Sequence, residues 1–414
     1  PFMGFCAQPE IAGRLISPPY DVVNSEEARA AAEGNEFCFF HVNKPEIDLP
    51  LETDIYADEV YETGRKNLHK FVRNGWLIRD EVERFYVYCL EARIKEEIRR
   101  QVGILVAASC EDYTSGRIKK HELTLEKKER DRTRLTDAQG ANVGPVFLTY
   151  PQKTEIDQIV DDVVSSPAYF DVVTEDGVRH QVWKVSEALN DTIVRNFGEI
   201  QFSYIADGHH RAASAYNVAR TRRERAEAKG EASPEVQDYF MAIMYPENQL
   251  KVLDYNRLLK DLNGKSVEQI LDEIRVNFDI TETQDPEPKR KGNFTLFLNH
   301  RWYSLIIKEG VITSPDPVAN LDSQVLTDFV LNPVFGITDI RNCSRIDFVG
   351  GIRGLKELER RCSEDCQAAM ALFPVTIAEI VAIADSGAIM PPKSTWFEPK
   401  PRSGSVVRIF DPIE

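Results

Sequence analysis

The side chains best suited to chemistry lie in the segment "ADGHHR" (206–211), which combines a carboxylate, two imidazoles and a guanidinium. The apolar stretch "QFSYIAD" (201–207) predicts a strand, and the alanine stripe that follows predicts a helix over 209–229. Gly208 then forms the turn between them. A helix N-terminus presents unbonded backbone N–H groups and the positive end of the helix dipole. The spacing therefore predicts an anion-binding turn.

The side chains of this turn suit phosphate. Arg211 can donate two parallel hydrogen bonds to phosphate oxygens, and Gly208 lets the backbone approach a ligand closely. His209 and His210 can donate to the same anion or move a proton. In the alternative interpretation, Asp207 caps the helix, Arg211 pairs with a nearby carboxylate, and both histidines are ordinary surface residues. The strand–glycine–helix context favours anion binding.

A second candidate is the charged segment "IKKHELTLEKKERDRTRLTDAQGAN" (118–142). Phosphoryl transfer needs cations on the phosphates, a carboxylate for Mg²⁺ and a base for the attacking hydroxyl. Residues of the required types are the cations Lys119, Lys120, Arg130 and Arg132, with His121 and Glu122 as base or ligand. The alternative is a solvated charged helix or loop, which is the usual role of such a segment.

Two proline-containing segments are further candidates. In "SPPYDVV" (17–23), the prolines fix an extended turn, after which Tyr20 could stack on a base and Asp21 could face a ligand. The alternative is a rigid turn with a capping aspartate. The segment "MPPKSTWFEPKPRSG" (390–404) is either a strap that covers a site or a packed tail.

The length, composition and charge of the chain predict its fold class and disfavour some classes of partner. A chain of 414 residues predicts two domains, placed here at 1–245 and 246–414, and the alternation of strands and helices predicts an α/β or α+β fold. The net charge of −16 disfavours binding to nucleic acid. Seven scattered cysteines and the lack of a long apolar run predict a cytoplasmic protein with no membrane span.

The segment "IADGHHRAASAYNVA" (205–219) resembles the phosphate-binding turn of the ParB/sulfiredoxin superfamily, in which a Gly-x-x-Arg-type segment opens a helix against nucleotide phosphates. The whole chain more closely resembles the bacterial family called domain of unknown function 1015. The matching segments are "SPPYDVV" (17–23), "FFHVNKPEIDLP" (39–50), "IKKHELT" (118–124), "KERDRTR" (128–134), "GPVFLTY" (144–150), "IADGHHR" (205–211), "YNRLLKDLNG" (255–264) and "MPPKSTWFEPK" (390–400). In one departure, Leu135 stands where this family often carries a histidine.

The resemblance implies a ParB/sulfiredoxin-like nucleotide-binding core with a second α/β domain. It also implies a small-molecule kinase that uses ATP or ADP with Mg²⁺, and free L-serine is the best single acceptor because some superfamily members are kinases of free L-serine. The first alternative is a regulatory switch that binds CTP or ATP and hydrolyses it slowly. A DNA-binding partition-type protein is the second alternative and is disfavoured by the charge. A homo-oligomer remains open.

The kinase hypothesis gives each candidate residue a role. Asp207 or Glu122 accepts the hydroxyl proton, the same two residues hold the metal, and His209 and His210 assist catalysis. The phosphates are held by Gly208, His209, His210, Arg211, Lys119, Lys120, Arg130 and Arg132, and the substrate by Tyr20, Asp21 and His121.

Overall fold

Twenty strands and thirteen α-helices form in the computed structural model, which describes residues 1–233 and 235–413. The strands are β1 (Phe5–Ala7), β2 (Leu77–Arg79), β3 (Tyr86–Ile94), β4 (Glu97–Ser109), β5 (Ile118–Lys119), β6 (Ala141–Asn142), β7 (Val146–Tyr150), β8 (Phe170–Val173), β9 (Arg179–Lys184), β10 (Ser203–Asp207), β11 (Tyr239–Pro246), β12 (Val252–Leu253), β13 (Tyr255–Leu259), β14 (Phe278–Glu282), β15 (Asn293–Leu298), β16 (Arg301–Ile307), β17 (Ile346–Gly350), β18 (Ala368–Ala371), β19 (Trp396–Phe397) and β20 (Val406–Ile409). The helices are α1 (Ala12–Leu15), α2 (Ser25–Ala32), α3 (Phe40–Asn43), α4 (Asp58–Arg73), α5 (Cys110–Ser115), α6 (Glu126–Gln139), α7 (Thr154–Val164), α8 (Asn190–Gly198), α9 (His209–Lys229), α10 (Val267–Arg275), α11 (Asp322–Leu326), α12 (Leu355–Glu364) and α13 (Ile377–Ser386).

The first of two structural units contains residues 1–120, 124–250 and 399–413. Its larger sheet has eight strands in the order β5-β10-β7-β11-β4-β3-β9-β8, and β10 lies between β5, with which it is parallel, and β7, with which it is antiparallel. A second sheet has the order β2-β1-β20-β6. Strand β20 pairs antiparallel with β1 and with β6, and this pairing places the C-terminal segment in the first unit.

The core of the first unit holds the β10–α9 turn in place. Ile205 of β10 and Leu148 of β7 are fully buried, and burial of such a side chain stabilises the fold by roughly 1.5–3 kcal/mol. The predicted small-residue stripe of α9 (Ala212, Ala215 and Ala219) is buried in the same hydrophobic cluster. These small side chains let the helix lie close to the sheet, so its N-terminus is fixed directly after β10.

The second unit contains residues 121–123 and 251–398. Its main sheet is antiparallel and has six strands in the order β14-β16-β15-β18-β13-β17, and β12 pairs separately with β19. Helix α10 buries Ile270, Leu271 and Ile274 in a cluster that also contains Phe278, at the start of β14. This unit is therefore an α/β element with its own hydrophobic core.

The mixed α/β class predicted from the sequence is confirmed by these sheets and helices. The predicted division into 1–245 and 246–414 stays a prediction, and the structure differs from it because residues 399–413 pack with the first unit through β20. Within residues 1–233 and 235–413, no helix is both long enough and apolar enough to cross a membrane.

Candidate functional site

The turn between β10 and α9 has the geometry that the sequence predicts. β10 ends at Asp207, α9 begins at His209, and Gly208 between them has a φ of +95°, which glycine adopts without a steric penalty. No side chain caps the N-terminus of α9. The first N–H groups of the helix and its dipole therefore offer an anion site at this end of α9.

Replacing Gly208 by alanine is expected to destabilise the protein and to displace the Arg211 side chain. An added Cβ would lie 2.7 Å from Arg211 Nε, and the positive φ adds backbone strain of about 1–3 kcal/mol. Urea unfolding measures the loss. Gly230→Ala, at the other end of α9, is the matched control, because its φ is +70° and nothing lies within 4 Å of the added Cβ. Equal losses in the two variants would contradict a role for Gly208 in seating Arg211.

Asp207 lies between two cations. Its Oδ2 accepts a hydrogen bond from Arg211 Nη2 at 2.5 Å, and its Oδ1 accepts one from Lys400 Nζ at 2.6 Å. The three side chains are 22%, 13% and 11% exposed in the order Asp207, Arg211 and Lys400, so solvent screens the pairs weakly. Burial by itself would raise the pKa of Asp207, but Lys400 and Arg211 outweigh burial and hold that pKa well below its usual range. Asp207 is therefore ionised, and both of its oxygens are engaged.

Lys400 is a residue of this cluster that the sequence analysis did not single out. The segment 399–404 is fixed near Asp207 by Arg402, whose backbone N–H donates to Tyr88 Oη at 3.2 Å and whose side chain pairs with Asp176. A signal for Lys400 was present, because it ends the segment "MPPKSTWFEPK", one of those that match the family. The sequence does not indicate where this segment packs in the fold.

Arg211 also borders a small cavity inside the first unit. The cavity has a volume of about 40 Å³, and Tyr20, Arg132, Gly144 and Ser403 are among its other lining residues. This volume holds about three water molecules, and it is far below the roughly 300–1,000 Å³ of a pocket for a whole small molecule. Arg211 Nε is buried and makes no hydrogen bond within the described part of the chain. Such a donor calls for an acceptor at this place.

The cavity is also lined by residues whose side-chain oxygens accept no hydrogen bond from the described residues. Asn43 Oδ1 and Gln139 Oε1 are buried and accept no hydrogen bond from residues 1–233 or 235–413, and both residues line the cavity. Arg132 adds a second guanidinium, whose Nη1 donates to the backbone oxygen of Asn43 at 3.0 Å. The cavity can therefore take a small polar group that both accepts and donates.

Tyr20 and Arg132 are brought together as the candidate site requires, but in a way that the sequence did not indicate. The guanidinium carbon of Arg132 lies 4.3 Å from the centre of the Tyr20 ring, and the Asp131 carboxylate pairs with Arg132 at 2.7 Å. One face of the tyrosine ring is thus covered by a cation. Tyr20 thus holds Arg132 through a cation–π contact, and its stacking on a base stays a prediction.

The other predicted cations do not line this cavity. Lys119 Nζ lies 3.8 Å from the centre of the Phe202 ring, and Lys120 Nζ lies 4.5 Å from that of Tyr113. Arg130 is 71% exposed and pairs with Glu126 one turn earlier in α6. Of the four predicted cations, Arg132 is the one that lines the cavity, and the phosphate-binding roles of the other three stay predictions.

The predicted residues His121 and Glu122 belong to the second unit. His121 is buried there, and its backbone oxygen accepts a hydrogen bond from the N–H of Met390 at 2.8 Å. Their roles as base, substrate contact or metal ligand therefore stay predictions.

His210 is a neutral imidazole in the first turn of α9. Its Nε2 lies 3.0 Å from the backbone N–H of Leu125 and accepts a hydrogen bond from it, so the ring proton is on Nδ1. Burial and then Lys128 lower the pKa of His210, and Asp21 offsets part of this effect. His210 is thus a hydrogen-bond donor through Nδ1 at neutral pH. Its neighbour His209 is buried, with 5% of its surface exposed.

Asp21 is exposed and acts electrostatically on the same helix end. Burial lowers the pKa of Arg211, but the charges of Asp207 and then Asp21 raise it above its usual value. The predicted residue Asp21 therefore lies where its carboxylate influences both Arg211 and His210.

The residues present do not form a protein cage for Mg²⁺. Residues 1–233 and 235–413 contain no group of three or more histidine, cysteine, aspartate or glutamate side chains that could hold a metal ion. Asp207, one of the two predicted ligands, has both oxygens engaged by cations, which disfavours a second positive ion there. We therefore derive no step through a metal.

Comparisons with known proteins give a family and distant structures. Residues 1–324 match the family model described as "Protein of unknown function (DUF1015)". No curated protein sequence matches the chain. Similar solved structures include a free serine kinase mutant with AMP (12% identity, TM-score 0.35, covering 71% of this chain and 87% of that one) and a C-terminally truncated SbnI from Staphylococcus aureus (12%, 0.37, 72% and 85%). A conserved hypothetical protein from Pyrococcus furiosus has 13% identity and a TM-score of 0.32 over 71% of this chain and 90% of that one.

Proposed function

The chain belongs to the DUF1015 family, and from the geometry of its β10–α9 turn we propose that it is a nucleotide-dependent phosphotransferase that acts on a small hydroxyl compound. Free L-serine is the first acceptor to test, because it is the acceptor that the superfamily resemblance implies. Phosphate binding at Gly208–Arg211 is the step from which the rest of the proposal follows.

One observation carries the proposal: Arg211, in the first turn of α9, and Arg132 border one small cavity, so that two guanidinium side chains meet at it. Phosphoryl transfer depends mainly on positioning and on cations that neutralise charge on the transferred group. The cavity volume of about 40 Å³ suits a phosphoryl group or its bound waters. The nucleoside would then lie outside the cavity.

We assign the role of general base to Asp21 rather than to Asp207. A base needs an available oxygen lone pair. Asp207 does not offer one, since Lys400 and Arg211 engage both of its oxygens and hold its pKa well below its usual range. Asp21 is exposed, and its charge acts on the same helix end. Asp207 then positions Arg211.

His210 completes the site as a donor. Its Nδ1–H is available to a phosphate oxygen because Nε2 is occupied by the Leu125 N–H. A neutral imidazole adds a hydrogen bond without placing another full charge at the positive end of the helix dipole. The binding of phosphate by this histidine is therefore expected to be independent of pH above its lowered pKa.

The test is to incubate the purified protein with ATP, ADP or CTP, with Mg²⁺, and with or without L-serine, and to analyse the products by mass spectrometry. The proposal predicts a serine-dependent increase in nucleotide consumption and a new product heavier than serine by one phosphoryl group. Nucleotide consumption without O-phosphoserine, followed by a phosphorylated product from a pool of amino acids and sugars, would replace serine as the acceptor. No phosphorylated small molecule from either mixture would contradict the transferase.

The small size of the cavity keeps one alternative open, a nucleotide-binding switch that hydrolyses CTP or ATP slowly. A switch needs a phosphate site but no acceptor pocket, and about 40 Å³ leaves no room for an acceptor beside a phosphoryl group. The same incubation separates the two functions, because the switch releases inorganic phosphate at a rate that no acceptor changes.

A further inference from the structure

A second and much larger cavity lies within the first unit. Its volume is about 1,360 Å³, and both sheets of the unit line it: β1 and β20 contribute Phe5 and Arg408, while β4 and β7 contribute Val106 and Leu148. Pockets that bind small molecules typically have about 300–1,000 Å³. The volume is therefore ample for a small organic ligand.

The wall of this cavity is mixed, and one part of it is apolar. Phe85, Val106, Leu148 and Met244 line it and are buried members of the hydrophobic core of the unit. Protein interiors are close-packed and contain few voids larger than a water molecule. A space of this size with an apolar wall beside the core thus has the character of a ligand site.

One buried cation also lines the cavity. Arg408 on β20 is 4% exposed, and its guanidinium donates to Asn142 Oδ1 at 3.1 Å and to the backbone oxygens of Tyr239 and Val236. These acceptors are all uncharged, and no ion pair joins Arg408 to a carboxylate of the described residues. Burial lowers the pKa of Arg408 to about 10, so the side chain is still charged at neutral pH. A buried charge of this kind favours an anion beside it.

The acidic residues that line the cavity are engaged elsewhere or lie at the surface. Asp112 pairs with Arg117 at 3.5 Å, and Asp411 pairs with Arg222 at 2.6 Å. Glu83 and Glu235 are exposed. The buried part of the wall therefore carries positive charge.

This cavity is separate from the phosphate turn. Ser203, the first residue of β10, lines it, whereas Asp207 ends the same strand. Four residue steps along a strand span about 13 Å. Among the described residues, none lines both cavities, although the Arg408 guanidinium of the large cavity donates to Asn142, which lines the small one.

We propose that this cavity is a binding site for an amphipathic carboxylate, with an acyl or aryl chain against Phe85, Val106 and Met244 and the carboxylate beside Arg408. The apolar volume selects the chain, and the guanidinium selects the anionic head group. The site does not depend on the phosphotransferase activity.

The first experiment compares three probes that share a ten-carbon chain: decanoate, decanol and decylamine. Titration calorimetry on the full chain is expected to show that decanoate binds at least about tenfold more tightly than decanol, as for a hydrogen bond to a charged group. Decylamine is expected not to bind. Arg408→Gln should lower the decanoate affinity to that of decanol. Equal affinities of the wild type for decanoate and decanol, or no binding of decanoate, would overturn the proposal.

A second variant keeps the test valid if Arg408→Gln fails to fold. Val194 of α8 lines the cavity and is 51% exposed, so Val194→Trp obstructs the opening without disturbing the core. Its matched control is Val173→Trp on β8, a position that is 63% exposed and is not among the lining residues. Binding of decanoate should weaken at least about tenfold in the first variant only. An unchanged affinity in Val194→Trp would overturn the proposal.

Discussion

Replacing Arg211 by lysine is expected to reduce nucleotide-dependent phosphoryl transfer at least about 100-fold, as the removal of one preorganised donor does in other enzymes. Lysine keeps the positive charge and can still pair with Asp207. It lacks the planar N–H groups of a guanidinium, which donate two parallel hydrogen bonds to phosphate oxygens. The buried Nε, which has no hydrogen-bond partner within the described residues, is lost outright. The measurement is kcat/KM for the nucleotide with the acceptor at saturation.

The control for this prediction lies on the same helix. Arg220 forms an ion pair with Glu224 four residues away, just as Arg211 does with Asp207, but it is 50% exposed. Arg220→Lys is therefore expected to leave kcat/KM unchanged. If Arg211→Lys keeps more than half of the wild-type value, Arg211 does not bind the transferred phosphate.

Replacing Asp207 by asparagine is expected to lower the free energy of unfolding by about 3–5 kcal/mol at neutral pH, because two largely buried cations lose their counter-ion. Both Arg211 and Lys400 donate to this carboxylate and are less than 15% exposed. Urea unfolding of the two proteins measures the difference. Asp58→Asn is the control, because Asp58 is 96% exposed and its pair with Arg134 is a surface ion pair of small effect.

The same variant gives a prediction for pH. Burial would raise the pKa of Asp207, but Lys400 and Arg211 lower it in the folded state, so the stabilisation is complete above the unfolded value of about 3.9. It is lost as the pH falls through the lower, folded value. The stability difference between wild type and Asp207→Asn should therefore be constant from pH 8 to about 5 and shrink below about 3.9. A difference that grows on acidification would contradict the ion cluster.

The local parts of the fold could be predicted from the sequence. The strand over 201–207 and the helix over 209–229 are confirmed as β10 and α9, because alternation and a small-residue stripe are properties of neighbouring residues. The hairpin of β8 and β9 is equally local, since Asp-Gly is a typical hairpin turn sequence and Gly177 has the positive φ that its turn requires. Each of these features is determined within about ten residues.

The contacts that complete the candidate site could not be predicted, because they join distant segments. Lys400 and Asp207 are 193 positions apart, and Arg132 of α6 contacts Tyr20, which lies in the turn between α1 and α2. Their attraction is non-local, and residue types alone do not say which cation meets which acid. The return of β20 to the first unit, which brings Lys400 there, depends on strand pairing that the sequence pattern does not encode.

The sequence of the charged helix α6 contains a weak signal for which of its faces is buried. Arg130 and Arg132 are two positions apart, so they point about 200° away from each other around the helix. Leu135 and Gln139 are buried and lie three and seven positions after Arg132, on its face. Leu135 therefore marks the inner face, and Arg132 rather than Arg130 lies on it. One large apolar residue among fourteen was too weak a signal to identify that face by periodicity.

The most direct measurement of the phosphate turn is a calorimetric titration of the wild-type protein with ATP, ADP, CTP and adenosine at two salt concentrations. We expect that at least one of the three nucleotides binds, that adenosine binds at least about tenfold more weakly than ATP, and that salt weakens the nucleotide binding. Adenosine binding as tightly as ATP, or no binding of any nucleotide, would contradict the assignment of Gly208–Arg211 to phosphate.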